Sequence, residues 1–446
     1  MTAKLRAFAA KPFVRGIAVS TAIKALGTLL GILGTFVLAR HLGSTEYGRF
    51  AYLSAMFQLL SFFVLLGGNK YLLQQARHQG TASPAVRSAF AVTCVIGLIG
   101  LAGTLTVFTI LTAKGILAPG EPAVYLFGIG AILLPTLWLV QILNAVWRID
   151  EQPARAETAN SFLNRISVLI VMGVGLLFGV PETGIGFFAA NTAYMAVAYA
   201  IFALPLWPVF RNVWRNLPEK GEFGRALRLC GGFTIINVSG RGMELVPVIL
   251  LGMLARPEDA GLLNIALKLF LPVALINQAV TINLLPRIAR AVNENAVTDR
   301  MVWGIRIAAG AILGLTTLYF GVLVFAGPWL LGLLGDEFRA ALVPVLLLIG
   351  GRMAKMLLGR NENYLEMCGR TRLLAAVQFV GLAVLVSVLA LAPGISLVVF
   401  SGLLSGVWVL TGIVALVAVV HGHGLVLSPI ALLCGGSGRT KRPSAS

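Results

Sequence analysis

The chain has 446 residues, of which 58% are hydrophobic and 12% charged, where a soluble domain carries about 25% charged residues. Too few polar side chains exist to cover a water-facing globule, so a soluble fold is excluded and a lipid-facing one is expected. The net charge of +18 raises nucleic acid as a partner, but the same surplus arises in membrane proteins from Lys and Arg on cytoplasmic loops, and the positions of the charges decide between the two.

The first apolar run, 14–38, follows Lys4, Arg6, Lys11 and Arg15. It is too long for a signal-peptide core and has no small-residue cleavage site behind it, so it reads as an uncleaved first span entering from the cytoplasm. Spans are then expected at 14–39, 46–67, 86–112, 122–146, 158–180, 184–209, 228–254, 259–284, 302–326, 338–359, 372–392 and 395–420. Pro119, Pro181 and Pro393 mark outer turns, and Pro153 and Pro218 mark inner ones. The stretch holding Asn69, Lys70, Gln74, Gln75 and Arg77 reads as an amphipathic interfacial segment on the inner side.

With the N-terminus inside, 27 of the 35 Lys and Arg residues fall on inner segments, five on outer segments and three inside spans. A one-span error would scramble that asymmetry, so both ends are expected in the cytoplasm, which removes nucleic acid as the partner. The longest inner connection falls mid-chain. It divides the chain into a six-helix bundle at 1–210, a cytoplasmic linker at 211–227, a second six-helix bundle at 228–421 and a cytoplasmic tail at 422–446.

The halves resemble each other. A shift of 213 positions pairs Glu46 with Asp259, Gly48 with Gly261, Leu72 with Leu285, Ala76 with Ala289 and Arg77 with Arg290 without a gap. Both copies start on the same side of the membrane, the arrangement of transporters whose halves rock about a central site.

Ionisable groups inside spans are the sharpest functional signal, because a charge at bilayer depth normally faces a cavity or a partner. Lys24 lies near the middle of span one, Arg241 and Glu244 near the middle of span seven, and Lys268 near the middle of span eight. Arg241 and Glu244, three apart on one face, can neutralise each other. Lys24 and Lys268 have no acid nearby in sequence, which favours a watery cationic cavity over snorkelling. By the repeat, Lys24 and Arg241 are expected to line it from opposite halves. Arg352 and Lys355 share a face of span ten, with Arg306 at similar depth in span nine and Arg360, Glu362 and Glu366 following. That group fits a cytoplasmic approach for an anionic headgroup, and equally a site for anionic lipid or a device that sets orientation.

Spans one to six are expected to hold no Asp or Glu in their interiors, which argues against an exporter of organic cations. A cationic lining favours an anion such as a phosphate or diphosphate ester. No phosphate loop, HExxH pattern or sizeable outer domain marks an enzyme. The scattered Cys94, Cys230, Cys368 and Cys434 and the pair His421 and His423 give no expected metal or cofactor site.

The segments LARHLGSTEYGRFAYLSAMFQLLSFFVLLG (38–67), RGMELVPVILLGMLARPEDAGLLNIALKLF (241–270), LLPRIARA (284–291) and LLGDEFRAALVPVLLLIGG (333–351) occur in a telling order and spacing. Together they make the chain similar to the polysaccharide transporter branch of the multidrug/oligosaccharidyl-lipid/polysaccharide exporter superfamily. The resemblance implies an all-α polytopic protein of the bacterial inner membrane, with about twelve transmembrane helices in two six-helix bundles around a V-shaped central cavity. It implies a flippase that moves a polyprenyl-diphosphate-linked oligosaccharide, a repeat unit of O-antigen or exopolysaccharide, to the periplasmic leaflet. The expected contacts are Lys24, Arg241, Glu244, Lys268, Arg306, Arg352 and Lys355, with membrane lipid and polymerase or co-polymerase proteins as further partners. Many relatives carry Asp where this chain has Glu244. An ion-coupled multidrug exporter of the same superfamily and a membrane enzyme of polysaccharide assembly are the rival readings.

Overall fold

A computed structural model describes residues 12–75, 83–115, 123–150, 152–207, 211, 220–254, 256–293, 299–368, 371–392, 394–423 and 425–430. The helices in chain order are α1 (Pro12–Leu65), α2 (Gly68–Gln75), α3 (Pro84–Ala113), α4 (Ala123–Ile149), α5 (Pro153–Glu157), α6 (Leu163–Phe178) and α7 (Gly184–Ala203). They continue with α8 (Lys220–Met253), α9 (Pro257–Asn293), α10 (Asp299–Gly332), α11 (Leu342–Leu357), α12 (Asn361–Met367), α13 (Thr371–Leu391) and α14 (Leu397–His423).

Each of the twelve expected spans falls on a helix of this set, and among the described residues 10 stretches are long and apolar enough to cross a membrane. The first of these, Ala22–Leu65, contains two expected spans. They are continuous except at Gly43, whose φ of 72° breaks the helix in a region that side-chain-bearing residues avoid. Leu176, Leu177, Phe178, Phe325 and Leu391 are each at least 80% exposed, as an acyl-chain environment requires.

The described chain divides into two compact units, Met1–Gly261 and Leu262–Ser446. In the first, α8 packs along α1, as do α3, α4, α6 and α7. Its core holds an aromatic cluster in which Phe50 meets Phe187 and Phe188 at 5.7 and 5.8 Å, and Phe57 meets Phe108 and Phe188 at 5.2 and 5.6 Å. Such offset and edge-on pairs add to the burial of their area. In the second unit, α11 packs on α10 and α14, and a buried core of Ile288, Val302, Ile305, Tyr364, Leu365, Ala415 and Val419 closes one end.

The expected interfacial segment is α2, with Tyr71 and Leu72 buried and Gln74 and Gln75 exposed; Arg77 lies outside the described residues. Of the expected linker, residues 212–219 lie outside the described residues, and the chain is helical from Lys220 onward. Pro119, Pro218, Pro393, Cys434 and the tail from 431 are likewise outside. Cys94 and Cys230 are buried among apolar neighbours and free.

Candidate functional site

The first unit gathers charge around residues 24–31 of α1. Lys24 is half-buried there, and its backbone carbonyl accepts a 2.8 Å hydrogen bond from Thr28 Oγ1. The same Thr28 oxygen accepts from Arg165 Nη1. Gly31 lets this happen: a Cβ at that position would stand 3.2 Å from Arg165 Cβ, so the arginine stem lies flat on the bare face of α1. The charges acting on Lys24 are Glu157, Arg165, Arg148 and Arg241.

Glu157 organises the cluster. It is buried, its Oε1 lies 2.9 Å from Arg148 Nη2, and its Oε2 accepts a 2.9 Å hydrogen bond from Ser161 Oγ. It ends α5, and the turn after it, Thr158–Phe162, is a π-helix that re-aims the following residues. Tyr199 fixes that turn by donating a 2.6 Å hydrogen bond to the Ala159 carbonyl. Arg241 lies 3.9 Å from Glu244 on α8, a loose pair whose arginine side chain remains 66% exposed. Four cations therefore face two acids within one unit, in apolar helices where each charge needs a partner or water.

Two features of this cluster differ from the sequence expectation. Arg165, one of the 27 cations counted on inner segments, lies within the Pro153–Phe178 stretch, about 18 Å along the helix from Pro153 at 1.5 Å per residue. The expectation that the first six spans lack an acid is corrected by Glu157, because that stretch begins at Pro153, earlier than read, and encloses it. Arg165 could have been found by applying the buried-charge criterion to the span already read at 158–180, and Glu157 by starting that span at the proline. Lys24 and Arg241, expected from opposite halves, act on each other within the first unit, since α8 packs along α1.

Lys268, Arg306, Arg352 and Lys355 belong to the second unit. Lys268 is half-buried on α9. Arg306 is buried and donates through Nε to the Val426 carbonyl at 3.0 Å, which ties α10 to the segment after α14. Arg352 and Lys355 meet Arg360 and Glu362 around a cavity of about 50 Å³. Lys355 Nζ lies 2.7 Å from Glu362 Oε1 and donates to Thr411 Oγ1 at 3.1 Å, and Arg360 Nη1 donates to Asn277 Oδ1 at 2.9 Å.

Solved structures share the fold. A lipid II flippase, MurJ, in an inward closed conformation aligns over 91% of this chain and 87% of its own, with a TM-score of 0.66 and 11% identity. The MATE transporter VcmN of Vibrio cholerae aligns over 91% and 96%, with a TM-score of 0.58 and 15% identity. A transporter of the same superfamily from Pyrococcus furiosus, described as having a binding pocket of reversed polarity, aligns over 89% and 94%, with a TM-score of 0.55 and 14% identity. No curated protein matches the chain. A family model described as "Polysaccharide biosynthesis protein" matches residues 13–292, more than half of the sequence. The chain therefore belongs to the polysaccharide biosynthesis protein family.

Proposed function

We propose that this protein is a flippase of the bacterial inner membrane that carries a polyprenyl-diphosphate-linked oligosaccharide from the cytoplasmic to the periplasmic leaflet. The observation that carries the reading is the cluster of Lys24, Arg148, Arg165 and Arg241 on apolar helices, held with Glu157 and Glu244 as acids. A diphosphate moved through a low-dielectric region loses its hydration, and fixed cations that donate hydrogen bonds offset that loss. Arg165 and Arg241 offer planar, always-charged donors, and Lys24 a compact one. The prenyl tail stays in lipid throughout, and alternating access needs no covalent step.

Family membership and the likeness in fold to a lipid II flippase support this reading. The rival within the same fold is an exporter of small molecules, which the MATE likeness also accommodates. Depletion separates them. Lipid-linked repeat units that accumulate in the cytoplasmic leaflet, with surface polysaccharide lost, support the flippase; sensitivity to small cationic drugs with normal polysaccharide overturns it.

A further inference from the structure

The second unit holds a separate cationic pocket that the transport reading does not use. It lies where the last turn of α11 meets α12, between α9 and α10, on the side that the charge asymmetry assigns to the cytoplasm. Arg352, Lys355 and Arg360 line it with Glu362, Asn277 and Asn363. Lys355 is already engaged by Glu362 and Thr411, and one arm of Arg360 by Asn277. Arg352 forms no ion pair with a described acid, although its charge is felt by Lys355, Arg360 and Glu362. Three cations thus converge on one carboxylate, and that carboxylate is spent on Lys355. Arg352, half-buried at the pocket and without an ion pair to a described acid, therefore leaves the pocket open to an added anion.

Its size narrows the choice. A water position needs about 10 to 15 Å³ of such space, so about 50 Å³ holds roughly four. That gives room for one tetrahedral oxyanion. The amide side chains of Asn277 and Asn363 add neutral donors, which suit phosphate oxygens better than a spherical halide.

We propose that the pocket of Arg352, Arg360 and Asn363 binds a single phosphate group, supplied by a phospholipid headgroup or by free inorganic phosphate. It is a second anion site, independent of the one built on Lys24. Its occupant completes the charge of the pocket and ties α11 and α12 to α9.

Purified protein in neutral detergent is dialysed against radiolabelled inorganic phosphate at fixed chloride, and its thermal unfolding is followed in parallel. The same unfolding is measured in nanodiscs of phosphatidylcholine with and without phosphatidylglycerol. The expected result is one bound phosphate per chain, or a phosphatidylglycerol-dependent rise in Tm of several degrees. Arg352→Gln weakens either effect at least tenfold, whereas Lys24→Ala leaves it in place. Binding of free phosphate identifies the ion as sufficient, and a response to phosphatidylglycerol alone identifies the headgroup. Dialysis of the wild-type chain reads the stoichiometry even where Arg352→Gln folds poorly, and Asn363→Leu serves as the second variant. No response to either source overturns the proposal, as does a response that Lys24→Ala abolishes and Arg352→Gln spares. Failure here leaves the transport effect of Lys24 untouched, so the two readings fall separately.

Discussion

Gly48 and Gly261 stand face to face, each over a carbonyl of the other's segment. A Cβ on Gly48 would run into the Pro257 carbonyl oxygen, and one on Gly261 would stand 2.7 Å from the Ser44 carbonyl oxygen and 3.1 Å from Gly48 Cα. The shift of 213 positions that aligns the halves exchanges these two contacts, since it carries Ser44 to Pro257 and Gly48 to Gly261. The two segments related by that shift therefore meet through equivalent positions. Gly48→Ala is expected to cost about 1 to 3 kcal/mol through overpacking, read as a lower Tm in detergent. Gly103→Ala, where nothing lies within 4 Å, should leave Tm unchanged or slightly raised; equal effects at both positions would deny Gly48 its packing role.

Glu157 is the counter-ion of the cationic cluster, and its neutralisation should sharpen the attraction for an anion. A unit charge about 7 Å away at an effective dielectric near 20 is worth about 2 kcal/mol. Glu157→Gln should therefore tighten binding of a prenyl diphosphate by about thirtyfold while slowing turnover, because release becomes harder. Binding that weakens in step with transport would show Glu157 to be a structural partner of Arg148 alone.

Arg165 is placed through Thr28. Arg165→Ala should lower translocation at least tenfold with the protein still folded in the membrane. Thr28→Val, which removes the acceptor but keeps the shape, should lower it by a smaller factor of about three. Arg165→Lys should not rescue fully, because an ammonium cannot reproduce the planar reach of the guanidinium. Flipping measured in proteoliposomes distinguishes these outcomes.

Lys355 and Glu362 form a largely buried pair, and breaking it from one side leaves the other charge stranded. Glu362→Gln or Lys355→Met alone should destabilise by about 3 kcal/mol, and the double variant should recover most of the loss. Burial pushes the Glu362 carboxyl up, but Lys355, Arg352 and the hydrogen bonds from Lys355 and Thr411 outweigh it and hold the pKa below the ordinary carboxylate value. Stability from such a depressed group is present above the unfolded carboxylate pKa and is lost as pH falls through the folded value. This pair's contribution to Tm should accordingly stay flat from neutral pH down to about 5, given an ordinary Glu pKa near 4.3, and decline only below it. Glu362→Gln should abolish that acid decline.

Much of this architecture was legible because lipid imposes simple rules. Length and apolarity fixed the twelve helical segments, and the scarcity of charge made Lys24, Arg241 and Glu244 stand out. Gly43 breaks α1 between the two spans read there. What escaped was set by contacts distant in sequence. Arg165 meets Thr28 across 137 positions, and no spacing rule links them. Its charge was counted with the inner segments although the span read at 158–180 contains it, and Glu157 was missed because the helical stretch begins at Pro153, before that span, and passes through a π-turn. Arg306 had the right type and depth for an anion site, yet its Nε is engaged by the Val426 carbonyl from a segment 120 positions away.

The most direct measurement is translocation of a labelled prenyl-diphosphate oligosaccharide by purified protein in proteoliposomes, compared between the wild type and a Lys24→Ala, Arg241→Ala double variant that keeps its native Tm. Transport by the wild type and its loss by more than a hundredfold in the double variant is the result expected here. Undiminished transport by the double variant would remove the cationic cluster from the mechanism.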